Sequence, residues 1–317
     1  MDASLNIAIA AEFELCERIV EALEESELNI AKVTVVEIYP FEEEQGIRFK
    51  NKSVTQCSSK EMDWGELDYL FFAGNIEQVS HIVEAAEQGC VVIDMKGICS
   101  TLSDVPVVVP SINEENLIEL RQRNIVSLPD PQVSQLALAI HPVLQTSHLT
   151  KIFTTSLLPA SYQNIETVTK LAGQTARLLN GIPLEEGETR LAFDVYPQST
   201  LSLSQQFQKI FPQLEAVVFH AVQAPVFYGM AQKVSVLSDY EIDFQPQENE
   251  FVQYHEHFIT PVMTAEIESE ISHVKLHISR LSAVENGIEF WTVADEQRFN
   301  LAHLSVKLLE AIYHQGY

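Results

Sequence analysis

Along residues 5–130 short apolar runs alternate with amphipathic stretches. The runs read NIAIA, KVTVVEI, YLFFAG, CVVID, VPVVV and NIVSL, and their Val, Ile and Phe content with almost no polar alternation predicts buried strands of a parallel sheet. The first is expected over Leu5–Ala10. Between it and the second run, Leu15, Ile19, Ala22 and Leu23 fall on one helical face over residues 15–25, and helical spacing returns over 77–88 and 114–122. Strand and helix in alternation predict a doubly wound α/β domain with right-handed crossovers.

A helix over residues 134–144 leads into a different texture. A strand at 151–158 precedes a long helix carrying Ile165, Val168, Leu171, Ala172, Thr175 and Leu179 at helical spacing, stopped by Asn180-Gly181. Strands then follow at 190–195, 216–224, 232–237, 274–281 and 287–294 without intervening helices, which predicts an α+β domain on a mostly antiparallel sheet. Residues 239–260 read as an irregular acidic loop with a β-edge, and 301–313 as a closing helix with Leu301, Leu304, Leu308 and Ile312 in one stripe. The expected division is a Rossmann-like domain over 1–133, rejoined by 298–317, and a second domain over 134–297.

A length of 317 residues suits two cores of ordinary size. No apolar run approaches the roughly 20 residues that cross a bilayer, and the start, MDASLNIAIAAEFELCE, lacks a basic secretory n-region, so a cytoplasmic protein is expected. Cys16, Cys57, Cys90 and Cys99 form no CxxC pair and read as reduced thiols. The net charge of -26 repels nucleic acid and anionic lipid, and the run Glu42-Glu43-Glu44 reads as a solvated face.

The turn after the first strand bears most directly on function. A dinucleotide pyrophosphate needs bare backbone and a helix N-terminus free of competing negative charge. Here the turn is Ala11-Glu12-Phe13-Glu14-Leu15-Cys16, with no glycine and two carboxylates.

The phrases DVPVVVPSIN, LAGQTARLLNGIP, RLAFDVYPQ, VQAPVFYGMAQ and FWTVADEQRFNLAH closely resemble the aspartate-semialdehyde dehydrogenase superfamily, and within it the Usg-type paralogues, in order and over nearly the whole chain. The resemblance implies a Rossmann-like domain plus an α+β domain whose sheet makes a homodimer. It also implies a reaction in which a cysteine thiolate attacks the aldehyde or acyl phosphate, a histidine serves as acid and base, and NADP carries the hydride.

Carried over residue by residue, those roles fall on residues that cannot perform them. Aligned on Pro129 and Gln135, the nucleophile position is Pro131, which has no attacking atom. The base belongs at Met230, whose thioether carries no proton. The substrate-carboxylate arginine corresponds to Gln223, the orienting glutamine to Leu158, and a substrate-contacting glutamate to Gln206. The phosphate-binding arginine matches Ser100, with Lys96 as a displaced substitute. Ala11, Phe13 and Cys16 stand near the glycine positions of the cofactor loop, Glu296 at the asparagine on the nicotinamide side, and 37–44 give carboxylates where a 2'-phosphate would be held. Loss of nucleophile, base, anion binding and cofactor loop together implies a pseudoenzyme without a cofactor, kept as a homodimeric binding or scaffold protein.

An oxidoreductase with altered or residual NAD(P)-dependent activity is the alternative, with Cys99, Lys96, Ser161 or a histidine in new roles. Cys99 beside Lys96, and Cys16, read as packing residues or as replacement nucleophiles. His255 and His257 have the HxH spacing that points both rings to one face of a strand, a metal pair or exposed polar residues; His220, His273, His277 and His303 lie elsewhere. Ser161-Tyr162 lacks the lysine of a short-chain dehydrogenase, since Glu166 occupies that position. Asp130 and Asp194 read as caps or turns. No metal site is expected.

Overall fold

The computed structural model describes residues 4–41, 46–214, 216–264, 267 and 274–317; the acidic run at 42–44 and His273 lie outside them. The chain divides into two units. One comprises the residues up to Ser134 with Gln205–Ile210 and Asn300–Tyr317, the other Gln135–Ser204 and Phe211–Phe299.

The first unit is built on a six-stranded, wholly parallel sheet. Its strands are β1 (Leu5–Ala10), β2 (Ile30–Glu37), β5 (Thr55–Ser58), β6 (Tyr69–Phe72), β7 (Val91–Asp94) and β8 (Ile125–Ser127), in the order β5-β2-β1-β6-β7-β8. A two-stranded ribbon, β3 (Arg48–Phe49) with β4 (Lys52–Ser53), precedes β5. The reversal of strand order beside β1 is the switch point where open α/β sheets present a crevice at the carboxyl ends of their strands. Helix α1 (Phe13–Glu25) buries Leu15, Cys16, Ile19, Val20 and Leu23, and the Ser26 hydroxyl returns to the Leu23 carbonyl at 2.8 Å to close its last turn. Helix α2 (Ser80–Glu87) buries Ile82, Ala85 and Ala86. The apolar runs thus become strands as the periodicity predicts, with one exception: residues 105–109 make only an isolated bridge, Val107 with Ser127. Pro106 and Pro110 remove ladder donors there, and the Asn113 side chain takes up Val109 N–H (2.9 Å) and Val107 C=O (2.8 Å) instead.

Helix α3 (Pro131–Leu144) begins in the first unit and continues into the second. The second unit carries a seven-stranded sheet, ordered β10-β11-β9-β12-β15-β14-β13. Its members are β9 (Lys151–Leu158), β10 (Tyr196–Gln198), β11 (Val217–Gln223), β12 (Met230–Leu237), β13 (Val252–His255), β14 (Leu276–Val284) and β15 (Gly287–Ala294). Two pairings, β9 with β11 and β13 with β14, are parallel, and the other four are antiparallel. The architecture is therefore α/β with a second, mostly antiparallel α+β unit. Helix α4 (Ile165–Leu179) starts at Asn164, whose side chain accepts the Thr167 N–H at 2.8 Å, and ends before Gly181 at φ +72°. Helix α5 (Leu203–Ile210) follows β10, and α6 (Leu304–His314) closes the chain after a wider π turn over Glu296–His303.

The expected strand at 190–195 is absent. Leu191 and Ala192 give their N–H groups to the side-chain Oε1 of the buried Gln174 (2.7 and 3.2 Å) rather than to a neighbouring strand, and Phe193 turns through φ +61°. Pairing resumes only at Tyr196. The β-edge expected within 239–260 is β13.

Candidate functional site

In the second unit the positions assigned to base, orienter and carboxylate binder do come together, as packing. Met230 is fully buried at the start of β12 and clusters with Leu158 and Ala221, with the half-buried Tyr162 against them. Gln223, also buried, donates through Nε2 to the Leu158 carbonyl (3.0 Å) and the Ala224 carbonyl (3.3 Å), while its Oε1 accepts from Gln163 Nε2 (2.9 Å). Its amide is fully engaged within the unit. No group of this cluster exchanges protons near neutral pH.

One titratable side chain lies beside it. Glu296 is completely buried; it pairs with the Ser161 hydroxyl through Oε1 and accepts the Gly229 N–H through Oε2 at 3.2 Å. Burial, helped by the neighbouring Asp295 charge, pushes its carboxyl up to about 7. Ser161 beside a carboxyl of that kind has the outline of a nucleophile and base. The turn bearing it supplies no oxyanion donors, however, because Ala160 N–H and Ser161 N–H are spent on the Val226 and Phe227 carbonyls at 2.8 and 3.0 Å. The pair clamps the 160–162 turn to the 226–229 loop, and Gln297 Nε2 adds a bond to the Ser161 carbonyl at 3.0 Å.

In the first unit, Pro131 is the first residue of α3 and Asp130 caps it, its carboxylate accepting the Gln132 N–H at 2.8 Å. The position assigned to the nucleophile is a helix start, with proline at the place where a missing N–H costs nothing. Gln206 is brought next to it: its Oε1 accepts the Asp130 N–H at 2.7 Å. Asn300 Nδ2 reaches the Pro131 carbonyl at 3.4 Å and the Ser134 hydroxyl at 3.1 Å. The loop after β7 is likewise tied to itself. Ser100 is buried and bonds the Gly97 carbonyl, and Asp94 Oδ2 accepts from Cys99 N–H and the Ser127 hydroxyl, both at 2.7 Å. Gly97 sits at φ +68°, where an added Cβ would meet the Leu128 carbonyl oxygen at 3.1 Å.

At the carboxyl end of β1, Ala11 is buried and Glu12 is the extended residue before α1, its side chain making no capping bond. The Phe13 ring meets Phe41 edge-on with centroids 5.4 Å apart. Burial raises the Tyr39 hydroxyl, with Glu12 adding to the effect, and lowers the half-buried Lys96, with Glu12 opposing the shift. Burial also raises Glu14. A dinucleotide does not fit this set: the helix N-terminus carries Glu12, Phe13 and Glu14 in place of bare backbone, and the nearby ammonium already faces Glu12.

Of the two readings of Cys99 and Cys16, the structure takes packing over a reactive thiol: both are buried, and burial pushes each up to about 12. Charges felt by Cys99 come from Asp94 and Arg123, not Lys96. His255 and His257 do not share a face. His255 ends β13 and meets the buried His277 (Nε2 to Nδ1, 2.9 Å), while His257 lies beyond the strand, exposed. No group of three metal-type ligands occurs among the described residues, and no helix among them is long and apolar enough to cross a membrane. Ala221 was missed; it shares a strand face with Gln223 by the two-residue period, which was a readable signal for it.

No family model matches the chain. It is 69% identical over all 317 residues, covering the whole of both chains, to a USG-1 protein homolog from Haemophilus influenzae. It is 27% identical, again end to end, to the aspartate-semialdehyde dehydrogenase of Shewanella violacea. Among solved structures, aspartate semialdehyde dehydrogenase II from Vibrio cholerae superposes with a TM-score of 0.89 at 27% identity, over 99% of this chain and 100% of that one.

Proposed function

We propose that this chain, which belongs to the aspartate-semialdehyde dehydrogenase superfamily in its USG-1 branch, is a pseudoenzyme: a homodimeric binding or scaffold protein that neither holds NADP nor turns over an aldehyde. The observation that carries the reading is the cluster of Leu158, Ala221 and Met230, closed apolar packing at the position of the acid–base residue. Pro131 at the nucleophile position and Glu12 at the pyrophosphate cradle point the same way.

The dimer surface is the open face of the seven-stranded sheet. Register aligns Val218, Phe153 and Ser235 across β11, β9 and β12, and in the next row His220, Thr155, Lys233 and Trp291. Phe153 and Val218 are each 39% exposed, an apolar centre on a face that the unit covers only toward Trp291, where Ile259 packs against Ala231 and Val293. The neighbouring strands near 274–278 and 288–293 widen it.

Two measurements test the reading. Light scattering on purified protein at micromolar concentration gives a dimer mass, and Phe153→Asp gives a monomer; a monomeric parent protein contradicts the scaffold as drawn. With aspartate semialdehyde, phosphate and NADP the protein gives no rate above the protein-free mixture. A rate abolished by one substitution in this chain restores the oxidoreductase reading.

A further inference from the structure

Where the carboxyl end of α2 meets the start of β8, the first unit holds a cavity of about 280 Å³. That is just under the roughly 300–1,000 Å³ of drug-sized sites, a volume for a ligand of a few heavy atoms. Val83, Ala86 and Ile125 give it an apolar wall, and Glu87, Gln122, Arg123 and Asn124 its polar groups. The Asn124 amide fixes the shape in advance: its Nδ2 donates to the Ala86 carbonyl at 3.3 Å and ties the approach to β8 to the last turn of α2.

Two side chains of the lining are charged, and one of them is matched. The Arg123 guanidinium is bonded to Asp104, which neutralises it in place. Glu87 is exposed and makes no hydrogen bond or ion pair among the described residues. Asn124 Oδ1 is unused as well, because the bond of that amide runs through Nδ2. The carboxyl end of α2 adds its own negative potential, and no basic side chain stands in its last turn to offset it.

These groups select a ligand. An anion meets Glu87, the helix end and a net charge of -26. A neutral molecule leaves the carboxylate and the helix end unmatched. A bare metal ion finds a single carboxylate here and no use for the hydrocarbon wall. An organic ammonium ion matches the charge, is drawn in by the field of the whole chain, and brings a carbon body for Val83, Ala86 and Ile125. We propose that this cavity binds a small aliphatic amine as its ammonium ion. The ammonium donates to the Glu87 carboxylate and to Asn124 Oδ1, and the hydrocarbon lies against the apolar wall. The site shares no residue with the ancestral reaction centre and does not depend on whether that centre is silent.

Isothermal titration of the full chain with 3-methylbutylamine at neutral pH and low salt tests it. Saturable binding is expected. 3-Methylbutanol, the same body without the charge, binds at least about tenfold more weakly, the worth of one charge-assisted contact. Glu87→Gln weakens the amine by the same factor while its unliganded melting midpoint stays at the parent value, since the exposed carboxylate holds no other group. Glu84→Gln, one turn earlier on α2 and outside the cavity, leaves the affinity within about twofold, the worth of a distant exposed charge. Absence of saturation by the amine up to about 10 mM overturns the proposal. So does an affinity that Glu87→Gln leaves unchanged, or that Glu84→Gln lowers as much, because the amine is then held by the general field and not at this site.

Discussion

Glu296→Gln stabilises the protein by up to about 3 kcal/mol at about pH 8, and by almost nothing at about pH 4. Glu296 is completely buried, and its folded-state pKa is raised from 4.5 to about 7. A raised pKa means that the folded state holds the proton more tightly than the unfolded chain. The contribution is therefore fully present below 4.5, is lost as pH rises toward 7, and is gone above that. Glutamine imitates the neutral acid at every pH: its Nε2 donates to the Ser161 hydroxyl, and its Oε1 accepts the Gly229 N–H now taken by the carboxylate. Urea unfolding of both proteins between about pH 4 and 8 should give curves that meet at the acid end and diverge toward the alkaline end. Parallel curves would mean that Glu296 titrates like an exposed carboxyl and that the clamp between the 160–162 turn and the 226–229 loop is not held by a neutral acid.

Met230→His, which puts an imidazole at the position proposed for the family's base, costs about 2 to 4 kcal/mol and yields no turnover. Met230 is enclosed by Leu158, Ala221 and Tyr162. An imidazole there exchanges a flexible thioether for a rigid ring and buries nitrogen atoms among apolar side chains; an unpaired buried polar group alone costs about 1 to 3 kcal/mol, and the misfit in shape adds to it. Gln223 already has its donor and acceptor committed, and Gln135 spends its Nε2 on the Met230 carbonyl (3.4 Å) and the Thr292 hydroxyl (2.8 Å). A urea midpoint lowered at unchanged slope is the expected result. A variant as stable as the parent would show room and partners for the ring, and the apolar cluster would then be a poor description of the site.

Much of this was legible in the sequence. The first unit's strands follow from apolar runs such as Tyr69–Phe72 and Val91–Asp94, which have one conformation available when buried on both faces. That Pro131 offers no attacking atom and Met230 no titrating group is legible from the side chains alone, whatever surrounds them; the family roles given to the two positions belong to the proposal. The misses share another cause. Leu191 and Ala192 look like strand residues, but their backbone donors go to Gln174, 17 and 18 residues away, and no local period encodes that. β5, with sequence TQCS, has no apolar signature and exists because β2 offers it a parallel edge. For Cys99 the sequence left packing and a thiolate beside Lys96 both open, and burial decides for packing, since a short separation in sequence did not make the ammonium its neighbour. Glu296 was noted only as a lost asparagine; that it would be buried, held by Ser161 and Gly229, depends on three segments separated by more than 60 residues.

The claim that the superfamily fold persists here without its cofactor rests on the crowding of the α1 start by Glu12, Phe13 and Glu14. Thermal melting of the purified protein against increasing NADP, and separately NAD, tests it most directly, because a ligand that binds only the folded state raises the midpoint in proportion to the logarithm of its concentration. The account predicts a midpoint unmoved up to millimolar cofactor. A saturable rise that Glu12→Gln leaves intact would contradict it.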